Sequence, residues 1–248
     1  MGESSRMAGR DAGSSNQIVD PLSTKSPLTN PQSPNNSLID NSITDPDLRH
    51  ATTEDVPRLQ AMLAEAFMED PVFGWLMPND SRRRARLRRY FGIDLRYYTL
   101  PRGRVWTTSD LTGAALSLPP GKWRVPPHVS LLQGSVFGVK LARAARLGAA
   151  MEWRHMRLAR GVGGAHYYVR DIGVHPDMQG KGLGSTLMSP TLQRCDREGL
   201  PAYIEASSER SAALYERLGF EHIEELRVGG SPPLWLMLRQ PHPSGVKR

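Results

Sequence analysis

Tyr167-Tyr168-Val169-Arg170-Asp171-Ile172-Gly173-Val174 is a run of β-branched and aromatic residues that stops at His175-Pro176-Asp177, and Gln179-Gly180-Lys181-Gly182-Leu183-Gly184-Ser185 comes next. The run reads as a strand. Beyond the glycines, Leu183, Leu187, Leu192 and Cys195 recur close to helical spacing as far as Gly199, which predicts a helix. Gly180, Gly182 and Gly184 therefore lie between a strand and a helix. Lacking a Cβ, they let backbone N–H groups approach a ligand closely. At a helix N-terminus those groups are unpaired and the macrodipole favours negative charge. Such a turn is suited to phosphate, and Lys181 adds a point charge. The spacing is neither Walker A nor the G-x-G-x-x-G of a Rossmann fold. On these residues alone, a phosphate cradle and a plain strand–helix turn both stay open.

On the C-terminal side, Ala202-Tyr203-Ile204-Glu205-Ala206 reads as the next strand. Ser207 or Ser208 can cap a short helix over 210–218 that stops at Gly219. Two closing strands follow, 221–228 and 233–239, joined by Gly229-Gly230-Ser231-Pro232. On the N-terminal side, Arg49-His50-Ala51 reads as a short strand. Leu59, Met62, Leu63, Ala66 and Phe67 mark one apolar face of a helix over 55–69, which Asp70-Pro71 stops. Residues 72–80 read as a loop carrying Phe73, Trp75, Leu76 and Met77. A second helix over 81–98 has Leu87, Tyr90, Phe91, Leu95 and Tyr98 on one face and arginines on the other. Strands at 105–108 and 114–118 flank a turn, and 130–160 reads as helical with a break near Gly148. Residues 1–46 show neither the helical nor the strand period and have no aromatic residue, so they are expected to be a disordered tail. One domain is expected over 47–241, with a flexible tail at 242–248.

Composition removes several function classes. Cys195 is the only cysteine, so neither a disulfide scaffold nor a cysteine zinc site is available. The most apolar short run, Leu234-Trp235-Leu236-Met237-Leu238, is far below the ~20 residues of a membrane span. No signal peptide is visible, and a cytoplasmic location is the expectation. The net charge of +7 comes from 27 Arg and 5 Lys against 25 acids, and it is local: residues 81–104 hold nine Arg against Asp94 alone. Solvated helix faces account for such runs, and they are not interleaved with aromatic residues as in a nucleic-acid-binding module.

Gln179-x-x-Gly182-x-Gly184, after a strand ending in Gly173-Val174, resembles the acyl-CoA signature of the GNAT family of N-acetyltransferases. The first helix, the two early strands and the closing Leu214-Tyr215-Glu216-Arg217-Leu218-Gly219-Phe220 are similar to that family's order. The resemblance covers about 47–240 and is strongest over 166–240. Within the family, residues 179–185, Pro190 inside a helix, Glu205 followed by Ala206-Ser207, and the 215–220 ending resemble the puromycin N-acetyltransferase-like subgroup.

The resemblance implies an α/β fold, a twisted mixed sheet of about six to seven strands splayed at a central bulge and flanked by helices. It implies acetyl-CoA as co-substrate, no metal, and a primary amine of a small molecule as acceptor, in a monomer or homodimer. The pantetheine arm would lie between 167–174 and 202–206. Ile172, Gly173, Val174, Gln179, Gly180, Lys181, Gly182, Leu183, Gly184, Ser185 and Ser208 would hold the co-substrate, with the Val174 N–H facing the thioester carbonyl. Tyr215 matches the family's general acid. Where histone-type members carry a glutamate base, this chain has Tyr168, so Glu205 becomes the candidate base, with Asp171 or a water chain as alternatives. Ser208 stands where many members have Asn. Trp75, Trp106 and Trp123 fall in the half that forms the acceptor pocket in relatives, where stacking on a flat substrate and, more commonly, core packing are the two readings, while Cys195, His166 and His175 read as structural. A protein or peptide N-acetyltransferase and a non-catalytic acyl-CoA sensor are the rival readings. Nucleic acid and membrane are not expected partners.

Overall fold

The strand from which the sequence was read lies in the middle of the sheet. The computed structural model describes residues 47–77, 81–161 and 165–242. The expected tail of residues 1–46 and residues 243–248 lie outside the described residues. The strands are β1 (Leu48–His50), β2 (Arg104–Thr108), β3 (Gly113–Leu118), β4 (Tyr167–Val174), β5 (Ala202–Ala206), β6 (Glu221–Leu226) and β7 (Leu234–Arg239). They form one seven-stranded sheet in the order β1-β2-β3-β4-β5-β7-β6. Every pairing is antiparallel except β4 with β5. A parallel pair needs a crossover, and here it is the helix Leu183–Glu198 that follows the glycines.

That parallel pairing is short. Only Tyr167, Val169 and the residue between them pair with β5, opposite Ala202, Ile204 and Tyr203. On its other edge β4 pairs with β3, where Leu116 is opposite Asp171 but Ser117 is opposite Val169. Arg170 is the extra residue of a β-bulge. A bulge bends its strand and raises the local twist, and from this point β4 leaves β5. The splayed, mixed, helix-flanked sheet expected from the resemblance is present.

Strand alternation sorts the core. Val169 and Ile204 face α7 (Leu183–Glu198) and α8 (Glu209–Arg217), packing with Met188, Cys195 and Tyr215. Tyr168 and Tyr203 face the opposite layer, which holds α1 (Val56–Ala66), α3 (Arg83–Asp94), α5 (Pro127–Phe137) and α6 (Leu141–Gly161). α7 stays helical across Pro190.

Four local expectations need correction. The loop at 72–80 contains α2 (Pro71–Leu76), because the Asp70 carboxylate caps it, accepting from Phe73 N–H at 2.9 Å, with Pro71 as first residue. The Asp-Pro pair read as a stop is also a start. The helix at 81–98 ends as α3 at Asp94 and continues as a π turn over Leu95–Thr99 and the short α4 (Leu100–Arg102). The helical stretch breaks at Gly138, whose φ of 55° an L side chain rarely adopts, and runs unbroken through Gly148. The closing strand β6 stops at Leu226, short of the expected 228. Past the expected domain end, His242 N–H still donates to Asp196 Oδ1 at 2.7 Å.

Candidate active site

The separation of β4 from β5 opens a cleft of about 940 Å³. One wall is the free edge of β4. His175 N–H donates to Thr112 O at 2.8 Å across the β3 side. Backbone groups alternate along a strand, so the amides of Ile172 and Val174 point the other way, into the gap. Gln179 Nε2 donates to Val174 O at 3.0 Å and ties the glycine turn to the strand end.

The turn itself has the geometry its glycines allow. Gly180 and Gly182 have φ of 79° and 82°, and no atom lies within 4 Å of where a Cβ would sit on either. Gly182 is the N-cap of α7 and supplies no side chain to the first helical N–H groups; Ser185 N–H donates to Gly182 O at 3.0 Å, and Leu183 and Gly184, which line the cleft, precede the first intrahelical bond. Ile172, Gly173, Val174, Gln179, Gly180, Gly182, Leu183, Gly184 and Ser185 all line it. Arg210 and Arg217 of α8 join them with positive charge. Backbone donors, open space and cations fit the pyrophosphate and pantetheine of acetyl-CoA.

Two expected contributors behave differently. Lys181 is absent from the lining: its Nζ donates to Asp177 O at 3.0 Å, which turns its charge away from the cleft. Ser208 lines the cleft but its hydroxyl is engaged as the N-cap of α8, accepting from Ser211 N–H at 3.2 Å.

The other end of the cleft is acidic and aromatic. Asp70, Asp171 and Glu205 line it with Phe73, Tyr90 and Phe137. Burial pushes the Glu205 carboxyl up to about 7, against the pull of the Tyr168 and Tyr203 hydroxyls. Burial likewise pushes Asp171 up to about 7; Arg170 opposes this, while Asp94, Asp70 and Glu205 add to it. Asp70 is raised by burial too, although it accepts from the Ser207 hydroxyl and from Phe73 N–H. Arg170, the bulge residue, is held by Asp94 at 2.6 Å and by the Tyr90 hydroxyl at 3.1 Å. Its charge is thus largely committed to Asp94, itself fully buried.

Tyr215 comes from the last turns of α8 and lines the cleft. Burial raises its phenol, and the charges of Asp171, Asp70 and Glu205 raise it further. It is therefore protonated throughout the neutral range, as an acid must be.

The structure thus brings together the glycine turn, the β4 edge, Tyr215, Glu205 and Asp171. Asp70 was missed, because its partner Ser207 lies 137 residues away in sequence and no local signal joins them. Trp75, Trp106 and Trp123 do not line the cleft, and none of the arginines of 81–104 does so. Trp106 packs against His50 with the rings tilted by 33°, and Trp123 stacks on His155. Cys195 is buried and its thiol is pushed up to about 12 by burial, so it is inert. Among the described residues no group of His, Cys, Asp or Glu is arranged to hold a metal, and no helix is long and apolar enough to cross a membrane.

Comparison with known proteins finds acetyltransferases. Residues 137–220 match the model of the acetyltransferase (GNAT) family. An N-acetyltransferase of Schizosaccharomyces pombe, itself uncharacterized, is 26% identical over 206 residues, spanning 78% of this chain and 83% of its own. Among solved structures, a Corynebacterium glutamicum protein described as histone acetyltransferase HPA2 and related acetyltransferase superposes with a TM-score of 0.57 at 23% identity, over 81% of this chain and 99% of its own. A Drosophila melanogaster polyamine N-acetyltransferase that forms N-acetylagmatine superposes with a TM-score of 0.53 at 18% identity, over 78% and 99%. At these identities the two likenesses speak for the fold alone, and the acceptor has to be read from the cleft.

Proposed function

We propose that this chain, whose residues 137–220 match the acetyltransferase (GNAT) family model, moves the acetyl group of acetyl-CoA onto the primary amine of a small cationic molecule. The observation that carries this reading is one continuous cleft lined both by the glycine turn with the free edge of β4 and by the carboxyls of Asp70, Asp171 and Glu205. The donors match an anionic co-substrate. The carboxyls match an ammonium group, and Phe73, Tyr90 and Phe137 match an apolar or aromatic body attached to it.

The proton balance defines the roles. An alkylammonium has a pKa near 10.4 and attacks only after losing its proton. Glu205, poised near neutrality, accepts that proton. The freed amine adds to the thioester carbonyl, and the Val174 N–H faces the developing oxyanion. The C–S bond then breaks, the electron pair leaves on sulfur, the Tyr215 hydroxyl donates to it, and the second proton lost by the nitrogen as the amide forms restores the phenol. Ammonium and thioester thus become amide, thiol and one released proton.

An acidic peptide acceptor is the weaker reading, because the acceptor end is itself acidic and none of the arginines of 81–104 lines it. The test is CoA release with acetyl-CoA and a panel of arylalkylamines, polyamines, puromycin (the amine of the resembled subgroup) and peptides. Release confined to small amines supports the reading. Release with peptides alone overturns the acceptor class, and acetyl-CoA binding with no release for any amine favours a sensor.

A second expectation concerns the glycine turn. Gly182→Glu should weaken acetyl-CoA at least tenfold, by strain at a positive φ and by like charge against the pyrophosphate. Calorimetric binding measures this, and normal affinity would move the phosphates elsewhere.

A further inference from the structure

The wall behind Glu205 carries an unusual set of buried polar atoms. His155 Nε2, both ring nitrogens of His166, the Tyr203 hydroxyl and Glu205 Oε1 have no hydrogen-bond partner. Buried polar groups are normally paired, and each exception calls for a reason. Packing alone would be better served by apolar residues of the same shape.

His155 is the centre of this set. It comes from α6 and is 3% exposed. Its ring is stacked between Trp123 at 4.8 Å and His166 at 5.6 Å, with interplanar angles of 12° and 13°. Tyr168 and Tyr203 meet it edge-on at 4.4 and 4.5 Å. Four rings therefore fix its plane. Its Nδ1 lies 3.8 Å from Glu205 Oε1. This is longer than a hydrogen bond, but catalytic contacts in a substrate-free enzyme are commonly long and tighten when the acceptor binds. Burial holds the imidazole neutral, down to about 3, and His166 down to about 4. A neutral imidazole donates from one nitrogen only.

We propose that His155 is a positioning residue for Glu205: its Nδ1–H is aimed at the carboxylate, closes on Oε1 when the acceptor amine is bound, and favours the ionised form that takes the amine's proton. The inference rests on Glu205 being the base. Other groups also act on that carboxyl. Tyr168, Arg170 and Asp171 face it from β4 and Tyr203 from β5, while Tyr98, before α4, and Tyr215, on α8, feel its charge. Arg170 favours ionisation, whereas burial and Asp171 oppose it. His166 faces the far side of His155 and helps keep it uncharged.

The test is the pH profile of kcat at saturating acceptor, whose acid limb reports the base in the acceptor-bound complex. His155→Phe keeps a flat ring in the stack and removes the donor. Its acid limb should move up by about one pH unit, with a rate about tenfold lower well to the acid side of the limb and near the unchanged enzyme's at pH 9. His155→Gln, which restores an N–H, should bring the limb back. A limb that stays in place, or a loss equal at every pH, assigns His155 to packing and overturns the proposal. Glu205→Gln is the parallel control: wild-type rate in that variant sinks the base assignment itself, whereas its loss beside an unmoved His155→Phe limb sinks only the present inference. If His155→Phe does not fold, the wild-type protein labelled with ¹⁵N-histidine decides. A neutral Nδ1–H tautomer of His155 supports the proposal, and a neutral Nε2–H tautomer overturns it.

Discussion

Glu205→Gln should lower kcat/KM for an amine acceptor by roughly 10²- to 10³-fold while making the folded protein more stable at pH 8. The rate loss is that of a general base. The stability gain follows from the same burial. The carboxyl is pushed up to about 7 in the fold from a usual 4.5. Between those values the folded state holds a proton that the unfolded chain has released, so stability falls as pH rises through the interval. The penalty is absent below 4.5, complete above 7, and of the order of 3 kcal/mol at about 1.4 kcal/mol per pH unit. Gln carries no charge and escapes it. The midpoint of unfolding should therefore rise at pH 8 and barely move at pH 4.5. Asp171, also near 7, shares the cleft and loses a like charge in the variant, which adds to the gain. Equal effects at both pH values would mean that Glu205 is not buried as an ionisable group. Rate loss in Asp171→Asn but not in Glu205→Gln would move the base to β4.

Tyr215→Phe should lower kcat by about 10²-fold, or roughly 2.7 kcal/mol of transition-state stabilisation, with acetyl-CoA affinity within twofold of wild type. The two effects separate because the ring and the hydroxyl do different things. The ring packs in the core between the sheet and α8, 6.1 Å from Phe220, and a phenylalanine keeps that contact. The hydroxyl alone is positioned to donate to the departing sulfur. Its donor state is secure, since burial and three carboxyls hold the proton on. A stopped-flow or thiol-trapping assay with saturating acetyl-CoA reads the change in kcat, and an unchanged value removes Tyr215 from the acid role. A large loss of acetyl-CoA affinity would instead mark it as a binding residue.

What could be read in the sequence was the part written in local patterns. The strand 167–174, the glycine turn, the helix after it, and the placing of Tyr215 and Glu205 on the elements that follow all rest on side-chain period and turn chemistry within a few residues. These signals are short-range, and the structure keeps them. Local patterns misled where one residue type serves two ends. Asp70-Pro71 stops one helix and starts another, and a mid-helix glycine looks the same at 138 and at 148 until φ is known.

The sequence by itself therefore determined the order of elements, the glycine turn between β4 and α7, and the resemblance to GNAT acetyltransferases. Tertiary structure alone decided what the acceptor end is. Asp70 and Ser207 meet across 137 residues, Asp94 and Arg170 across 76, and His155 faces Glu205 from a helix on the opposite layer. The bulge at Arg170 that opens the cleft is a mismatch of register between two strands, legible in neither strand alone. Contacts between distant segments, and the burial that lifts Glu205 and Asp171 toward neutrality, come into being only when the chain closes on itself.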